Sequence, residues 1–271
     1  MEAQKYSYSK ILLFTNTMNR FLLCTFFLSL LAATTMAQSA SSDQLETSEG
    51  MVSIQPVLHG TVAFTWNDQT IYVDPYGGAE AFAGIDAPDL ILITDIHGDH
   101  MDVKTLEAIE TTDVPMVVPQ AVADQLPESF QEQLVIIGNG ESTEQLGVSI
   151  EALPMYNLPE NDPDSRHTKG RGNGYLLTFG DKTVYLSGDT EDIEEMRALE
   201  DIDVAFVCMN LPYTMSVDQA ASAVLEFEPV MVYPYHYRGT DGLSDVEKFK
   251  ELVNAENEDI EVRLRAWYPE N

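Results

Sequence analysis

The sequence predicts a layered α/β domain, and three observations carry that expectation. Apolar runs of buried-strand length recur along the chain, among them LILIT at 90–94, VAFVC at 204–208 and VMVYP at 230–234. Strand signals dominate at first and then alternate with short helical ones, a pattern that needs helices covering sheets. With 271 residues, 44% of them apolar, the chain has the material for a sizeable core.

Taken in order, Val52–Pro56, Thr61–Trp66 and Ile71–Asp74 read as strands, the last two joined by a tight Asn67-Asp68 turn. Leu90–Thr94 is apolar throughout, as a strand buried on both faces must be, and ends abruptly in DIHGDH. Asp102 can then cap a helix over Val103–Glu110. Met116–Val118, Ala121–Leu126 and Leu134–Ile137 continue the alternation, and Val148–Leu153 is a further strand before a Pro-, Asn-, Asp- and Gly-rich loop at 154–174. Gly180-Asp181 makes a two-residue hairpin between Tyr175–Phe179 and Thr183–Ser187. A helix at Glu191–Leu199, a strand at Val204–Cys208, a helix at Ser216–Glu226 and a strand at Val230–Tyr233 follow. A helix near Ser244–Asn254 and a strand at Glu261–Leu264 close the chain. No linker divides it after the first fifty residues.

Those first residues read differently. Residues 21–34 form a short apolar run behind Arg20, and Thr35 and Ala37 offer small residues for a cleavage site. The expectation is a signal peptide over 1–37, with 1–17 an extension if Met18 is the start, a flexible polar leader at 38–50, and a single domain over 51–271. The alternative is an N-terminal membrane anchor, although the run is short for a span. A secreted or periplasmic protein is implied. Cleavage would leave one cysteine, Cys208, in a buried strand, so no internal disulfide can form.

Charge narrows the partners. With 14 Lys+Arg against 45 Asp+Glu the formal net charge is −31, which argues against nucleic acid, whose phosphates need Lys and Arg to replace their counterions. Small anions stay open, because a metal can invert the local sign of a site.

The chemistry concentrates where apolar runs stop. Only five histidines occur, and two of them sit in Asp95-Ile96-His97-Gly98-Asp99-His100, directly after LILIT. Residues 95 and 97 alternate in an extended segment and can face one side, while Asp99 and His100 turn toward a second point. Mixed imidazole and carboxylate donors at this density suit one or two divalent ions, zinc first, with manganese or iron as alternatives. Ser187-Gly188-Asp189-Thr190 and Tyr235-His236-Tyr237 also follow strands; alone, the first reads equally as a helix cap and the second as a core histidine.

The ordered set IYVDP, DIHGDH, MYN, LSGDT and YPYHY resembles the metallo-β-lactamase fold superfamily, and more narrowly its branch of small metal-dependent hydrolases that includes ascorbate-6-phosphate lactonase-like proteins. The resemblance runs from about Val52 to the C-terminus. It implies a four-layer αββα sandwich with a metal site at the edge where the sheets meet. It also implies a second metal site made of Asp99, His100, Asp189 as a bridge, and His236. The first site departs from the family pattern. Asp95 stands where a histidine is usual beside His97, and Tyr156-Asn157 lacks the expected later histidine. Asn157 or His167 is then the candidate to complete it, and His59 to line the pocket or orient a ligand.

The function expected is hydrolysis of an ester, lactone, amide or phosphodiester of a small molecule by metal-activated water, with Asp99 positioning the nucleophile or taking its proton. Tyr213, Tyr235 and Tyr237 are candidate donors to the substrate. The cationic stretch Arg166, His167, Lys169 and Arg171 is a candidate lid for an anionic one. The alternative is a metal- or ligand-binding protein whose weakened first site has lost hydrolysis.

Overall fold

Leu90, Leu92 and Val117 point one way from their strands and Ile91, Ile93, Met116 and Val118 the other, so both faces of this sheet are covered. The computed structural model describes residues 42–160, 162 and 164–268. The expected signal peptide, the Met18 start and residues 38–41 of the expected leader lie outside them. The first sheet has seven strands in sequence order: β1 (Asp43–Thr47), β2 (Gly50–Leu58), β3 (Thr61–Trp66), β4 (Gln69–Val73), β5 (Leu90–Leu92), β6 (Met116–Val118) and β7 (Leu134–Ile136). Strands β1–β4 form antiparallel hairpins, and β4–β7 run parallel.

The second sheet begins with β8 (Ser142–Gln145), β9 (Val148–Met155), β10 (Gly172–Phe179) and β11 (Lys182–Leu186), all antiparallel. It continues parallel through β12 (Val204–Cys208) and β13 (Met231–Tyr235). A two-stranded ribbon, β14 (Arg238–Gly239) and β15 (Gly242–Leu243), precedes the last strand, β16 (Glu261–Val262), which pairs with β13.

The sheets pack face to face. Val52, Ile54 and Phe64 from one meet Leu177, Phe179 and Phe206 from the other, with Phe64 edge-on to Phe206 at 5.8 Å. Outside the first sheet lie α1 (Val103–Ala108) and α2 (Gln120–Ala123), whose Leu106 and Val122 share a cluster with Tyr72 and Ile91. Beyond the second sheet lie α3 (Glu194–Arg197), α4 (Val217–Phe227) and α5 (Val246–Glu256), burying Met196, Val224 and Phe249. This is the four-layer αββα sandwich that the resemblance implies.

Asp102 caps α1 as expected, its Oδ1 accepting from Lys104 N at 3.1 Å, and Ser216 and Gln219 form a capping box on α4. Three expectations are corrected. Residues 43–50 are no leader: β1 pairs with β2 from Asp43↔Ile54 to Thr47↔Gly50, and Asp43 binds Arg265 through two oxygens at 2.6 and 2.9 Å. The helix expected over Glu191–Leu199 shrinks to Glu194–Arg197, because Glu191 N and Arg197's side chain are used by Tyr156 O, Asp192 and Glu226. The strand Ser142–Gln145 was hidden by its polarity: it is an edge, where only alternate residues approach the core. No described helix is long and apolar enough to cross a membrane.

Candidate metal centre

The parallel strands of both sheets end on the same rim, which is where open α/β sheets carry their sites. Three backbone devices aim side chains there. Beyond β5, a turn in which His100 N and Met101 N both donate to His97 O, at 2.9 and 2.8 Å, sends His97 and His100 to different points. Beyond β11, Gly188 adopts a left-handed φ of 59°, and a Cβ there would lie 2.6 Å from Met155 Sδ, so glycine is required for Asp189 to face inward. Beyond β13, His236 itself takes φ 44°, its N–H held by His59 O at 3.1 Å. His59 (φ 58°) and Asp74 (φ 46°) share this left-handed backbone. Such strain in non-glycine residues persists where packing holds it, as at functional sites.

The result is a pair of adjoining donor clusters. Asp189, only 4% exposed, faces three histidines: Oδ2 lies 3.1 Å from His167 Nε2 and 3.3 Å from His100 Nε2, and Oδ1 lies 3.3 Å from His236 Nε2. Asp99 Oδ2 adds a contact to His236 Nε2 at 3.4 Å. On the other side Asp95 Oδ2 approaches His97 Nδ1 at 2.6 Å and His167 Nε2 at 3.9 Å. Asp95, His97 and His167 therefore make one cluster, and His100, Asp189 and His236 the other. Asp189 touches both.

Tautomers follow from what the far nitrogens meet. His100 Nδ1 faces Asp74 Oδ2 at 2.8 Å, and His167 Nδ1 faces Asn157 Oδ1 at 3.1 Å; acceptors there put each proton on Nδ1 and leave each Nε2 lone pair pointing inward. His167 Nε2 and Asp189 Oδ1 are buried without a hydrogen-bond partner among the described residues, an arrangement that costs free energy unless a cation collects them. Gly60 leaves room for the rings of His236 and His100, since a Cβ there would lie 3.1 Å from His236 Cδ2 and 3.7 Å from His100 Cε1. The donor set fits a divalent ion.

Electrostatics agree. Burial by itself disfavours charge on Asp189 and His100. The charges of His236 and His100 nevertheless hold Asp189 well below the usual carboxylate range, and Asp189 with Asp74 pushes His100 well above its ordinary value, so that a bound cation would take the place of a proton on its inward nitrogen. Asp99 is likewise pulled down against its burial by hydrogen bonds from His236 and His59.

Of the remaining expected residues, His167 is fully buried and completes the first cluster, whereas Asn157 does not reach it. Asn157 Oδ1 accepts from His167 N at 2.8 Å and its Nδ2 donates to Tyr213 O at 2.8 Å, so it holds the loop that carries the histidine. His59 serves Asp99: its Nδ1 meets Tyr268 Oη at 2.7 Å and its Nε2 meets Asp99 Oδ2 at 3.0 Å, the geometry of a donor to that carboxylate. Tyr235 Oη accepts from Gly188 N at 3.0 Å and Tyr237 Oη donates to Arg265 O at 3.3 Å; both are buried and neither lines the cavity beside Asp99. Tyr213 lines a cavity of about 260 Å³ beside Asp99 and Asp189.

Two roles escaped the sequence reading, that of Asp74 and that of Arg171, which was expected in a lid for an anionic substrate and instead holds Asp95. Asp74 is wholly buried, accepts from Thr94 N and Oγ1 at 2.7 and 2.6 Å, and orients His100; the signal was its place at the end of a strand in IYVDP. Arg171 grips Asp95 with Nε–Oδ1 at 3.1 Å and Nη2–Oδ2 at 2.9 Å. A carboxylate in the usual histidine position adds a negative charge, and this guanidinium offsets it.

The family model for the beta-lactamase superfamily domain matches residues 53–236. A UPF0173 metal-dependent hydrolase of Pyrococcus abyssi is 31% identical over 213 residues, spanning 75% of this chain and 92% of that protein. Its counterpart in Thermococcus onnurineus is also 31% identical, over 78% of this chain and 96% of the relative. Among solved structures, a candidate metal-dependent hydrolase of Parabacteroides distasonis aligns with TM-score 0.74 and 35% identity over 84% of this chain and all of that one, 100%. Igni18, a metallo hydrolase of Ignicoccus hospitalis, aligns with TM-score 0.65 at 24% identity over 79% and 94% of the two chains, and shares the fold. The matched span contains every side chain of the two clusters, and the chain belongs to the metallo-β-lactamase superfamily, in its branch of small metal-dependent hydrolases.

Proposed function

We propose that the protein hydrolyses an ester, lactone, amide or phosphodiester bond of a small molecule at the rim where His100, His167, His236 and Asp189 converge. The observation that carries this reading is the convergence of three buried histidine Nε2 atoms on Asp189, with His167 Nε2 and Asp189 Oδ1 left without a hydrogen-bond partner, beside a cavity. His100, Asp189, His236 and Asp99 would hold one ion, and His97, His167, Asp95 and the shared Asp189 a second. Imidazole and carboxylate donors favour zinc, with manganese or iron as alternatives. When bound, such an ion supplies Lewis acidity and a water of lowered pKa.

The side chains do the rest. Asp99, with its side chain 33% exposed, is the carboxylate of the set that opens onto the cavity. Held ionised by His59 and His236, it accepts a hydrogen bond from the attacking water and positions it. His59 keeps the carboxylate aimed through its own bond to Tyr268. Tyr213 and Asn210 line the same cavity as Asp99 and orient the substrate.

Asp189→Ala and His236→Ala test the assignment. Both are expected to lower zinc content, read by elemental analysis, and to lower hydrolysis of a 4-nitrophenyl ester by at least about a hundredfold. Full zinc occupancy in both variants would overturn it. Export to the periplasm or medium after cleavage near Ala37 is part of the proposal, supported by the basic, apolar and small-residue succession at 20–37. N-terminal sequencing of the secreted chain should begin near Gln38; a start at Met1 or Met18 refutes cleavage.

A further inference from the structure

In so acidic a chain most of the described cations, seven of eleven, have found a carboxylate. Lys169 pairs with Glu195 at 2.7 Å, Lys182 with Asp203 at 2.8 Å, Arg197 with Asp192 at 2.6 Å and Arg265 with Asp43 at 2.6 Å. Arg171, Lys248 and Arg263 are paired too. Among the described residues the exceptions are Lys104, Lys250, Arg166 and Arg238. The two arginines line one and the same cavity, the one that opens beside Asp99 and Asp189.

Both are held in place without being neutralised. Arg166 lies over the Tyr213 ring at 4.6 Å, and Arg238 over the Tyr268 ring at 4.5 Å. Stacking on an aromatic face fixes the guanidinium plane and leaves its edge N–H groups free, as bidentate recognition of an oxyanion needs. The supports are braced in turn. Tyr213 Oη accepts from Thr240 Oγ1 at 3.0 Å, and Tyr268 Oη accepts from Arg238 N at 3.1 Å. Gly239 presses so closely on Leu211 that a Cβ would sit 1.8 Å from Leu211 O, which joins the ribbon carrying Arg238 to the loop carrying Tyr213. Each arginine is also tied to a converging histidine, Arg166 next to His167 and Arg238 two residues after His236.

We infer that Arg166 and Arg238 form a clamp for an oxyanion at one end of the substrate, a carboxylate or a phosphate monoester, with the scissile bond lying toward Asp99. The position of that bond rests on the hydrolase reading above; the clamp does not. A chain of net charge −31 repels anions at long range, so two fixed guanidiniums at the cavity reverse the sign where it matters. A volume of about 260 Å³ confines the ligand to a small molecule.

The test compares zinc-loaded wild type with the double variant Arg166→Gln/Arg238→Gln. In the first arm, 4-nitrophenyl butyrate and mono-4-nitrophenyl succinate offer acyl groups of equal length, one neutral and one ending in carboxylate. Wild type should prefer the succinate by about tenfold or more in kcat/KM, and the variant's preference should collapse toward one. In the second arm, titration calorimetry with succinate and with propyl phosphate reads binding alone. Whichever anion loses about tenfold or more in affinity in the variant identifies the oxyanion that the clamp takes. Equal affinities in both proteins for both anions overturn the clamp, even if both esters are hydrolysed. Hydrolysis of neither ester with affinity lost in the variant leaves the clamp standing and counts against the hydrolase reading.

Discussion

Asp74 contributes to the centre without facing the cavity. Its carboxylate fixes the proton of His100 on Nδ1 and is itself fixed by Thr94, so it sets both the direction and the basicity of Nε2. Asp74→Asn is expected to weaken zinc binding by roughly 10–100-fold in competition with a chromophoric chelator, with the circular dichroism spectrum preserved. Arg171 acts in the opposite sense. It occupies both oxygens of Asp95 and places a positive charge against the first cluster. Arg171→Gln should therefore tighten binding of the ion held by Asp95, His97 and His167 by about tenfold in a metal titration; unchanged or weaker binding would show that Arg171 supports the cluster. At this scale the density of DIHGDH was legible, because four donors in six residues have few structural uses. Asn157 and His167 stayed alternatives in the sequence, because an amide at the expected position looks like a ligand and His167 lies ten residues on along a loop whose course sequence alone does not give.

Among the elements, β1 departs furthest from expectation. Ser-, Asp- and Gln-rich sequence looks like a leader, yet one carboxylate anchors it: Asp43 binds Arg265 and accepts from Tyr233 Oη at 2.7 Å. Burial alone would raise its pKa, but these hydrogen bonds and the charges of Arg265 and Arg263 hold it below the ordinary value of 3.8. A carboxyl with a depressed folded pKa stabilises above its unfolded value and loses that contribution as pH falls through the folded one. Asp43→Asn should cost about 2 kcal/mol in urea unfolding at pH 7, and the gap should narrow as pH falls below about 4. A gap that does not narrow at all between about pH 5 and pH 2.5 would mean that the pair is not what holds the strand. The interior strands were legible by contrast, since LILIT and VAFVC are apolar at every position and have no alternative to burial on both faces. Ser142–Gln145 and β14–β15 carry no such pattern and exist only because neighbours offer them backbone partners.

For the whole molecule, no described residues form a disulfide, since Cys208 is the only cysteine among them and lies buried in β12. A metal that binds the folded state alone then adds stability by mass action, about 4 kcal/mol at a thousandfold excess over its dissociation constant. Removing it with a chelator should lower Tm by roughly 10 °C for a domain of this size and abolish hydrolysis, both restored by added zinc. A Tm indifferent to chelation would mean that the clusters bind no metal with useful affinity.

The sequence by itself determined the layered α/β class, the apolar interior strands, the cap of α1, and the places where chemistry gathers, because periodicity, capping and ligand density are local properties read over a few residues. Tertiary structure decided which of those places meet. Asp189 and His236 read equally as a cap and a core histidine until the parallel strands of two sheets ended on one rim and set them against His100 and His167. The stacking of Arg166 and Arg238, the grip of Arg171 on Asp95 and the anchoring of β1 by Asp43 belong to the same class. Each joins residues that the chain separates and only packing brings within a few ångströms, where charge and hydrogen bonding act.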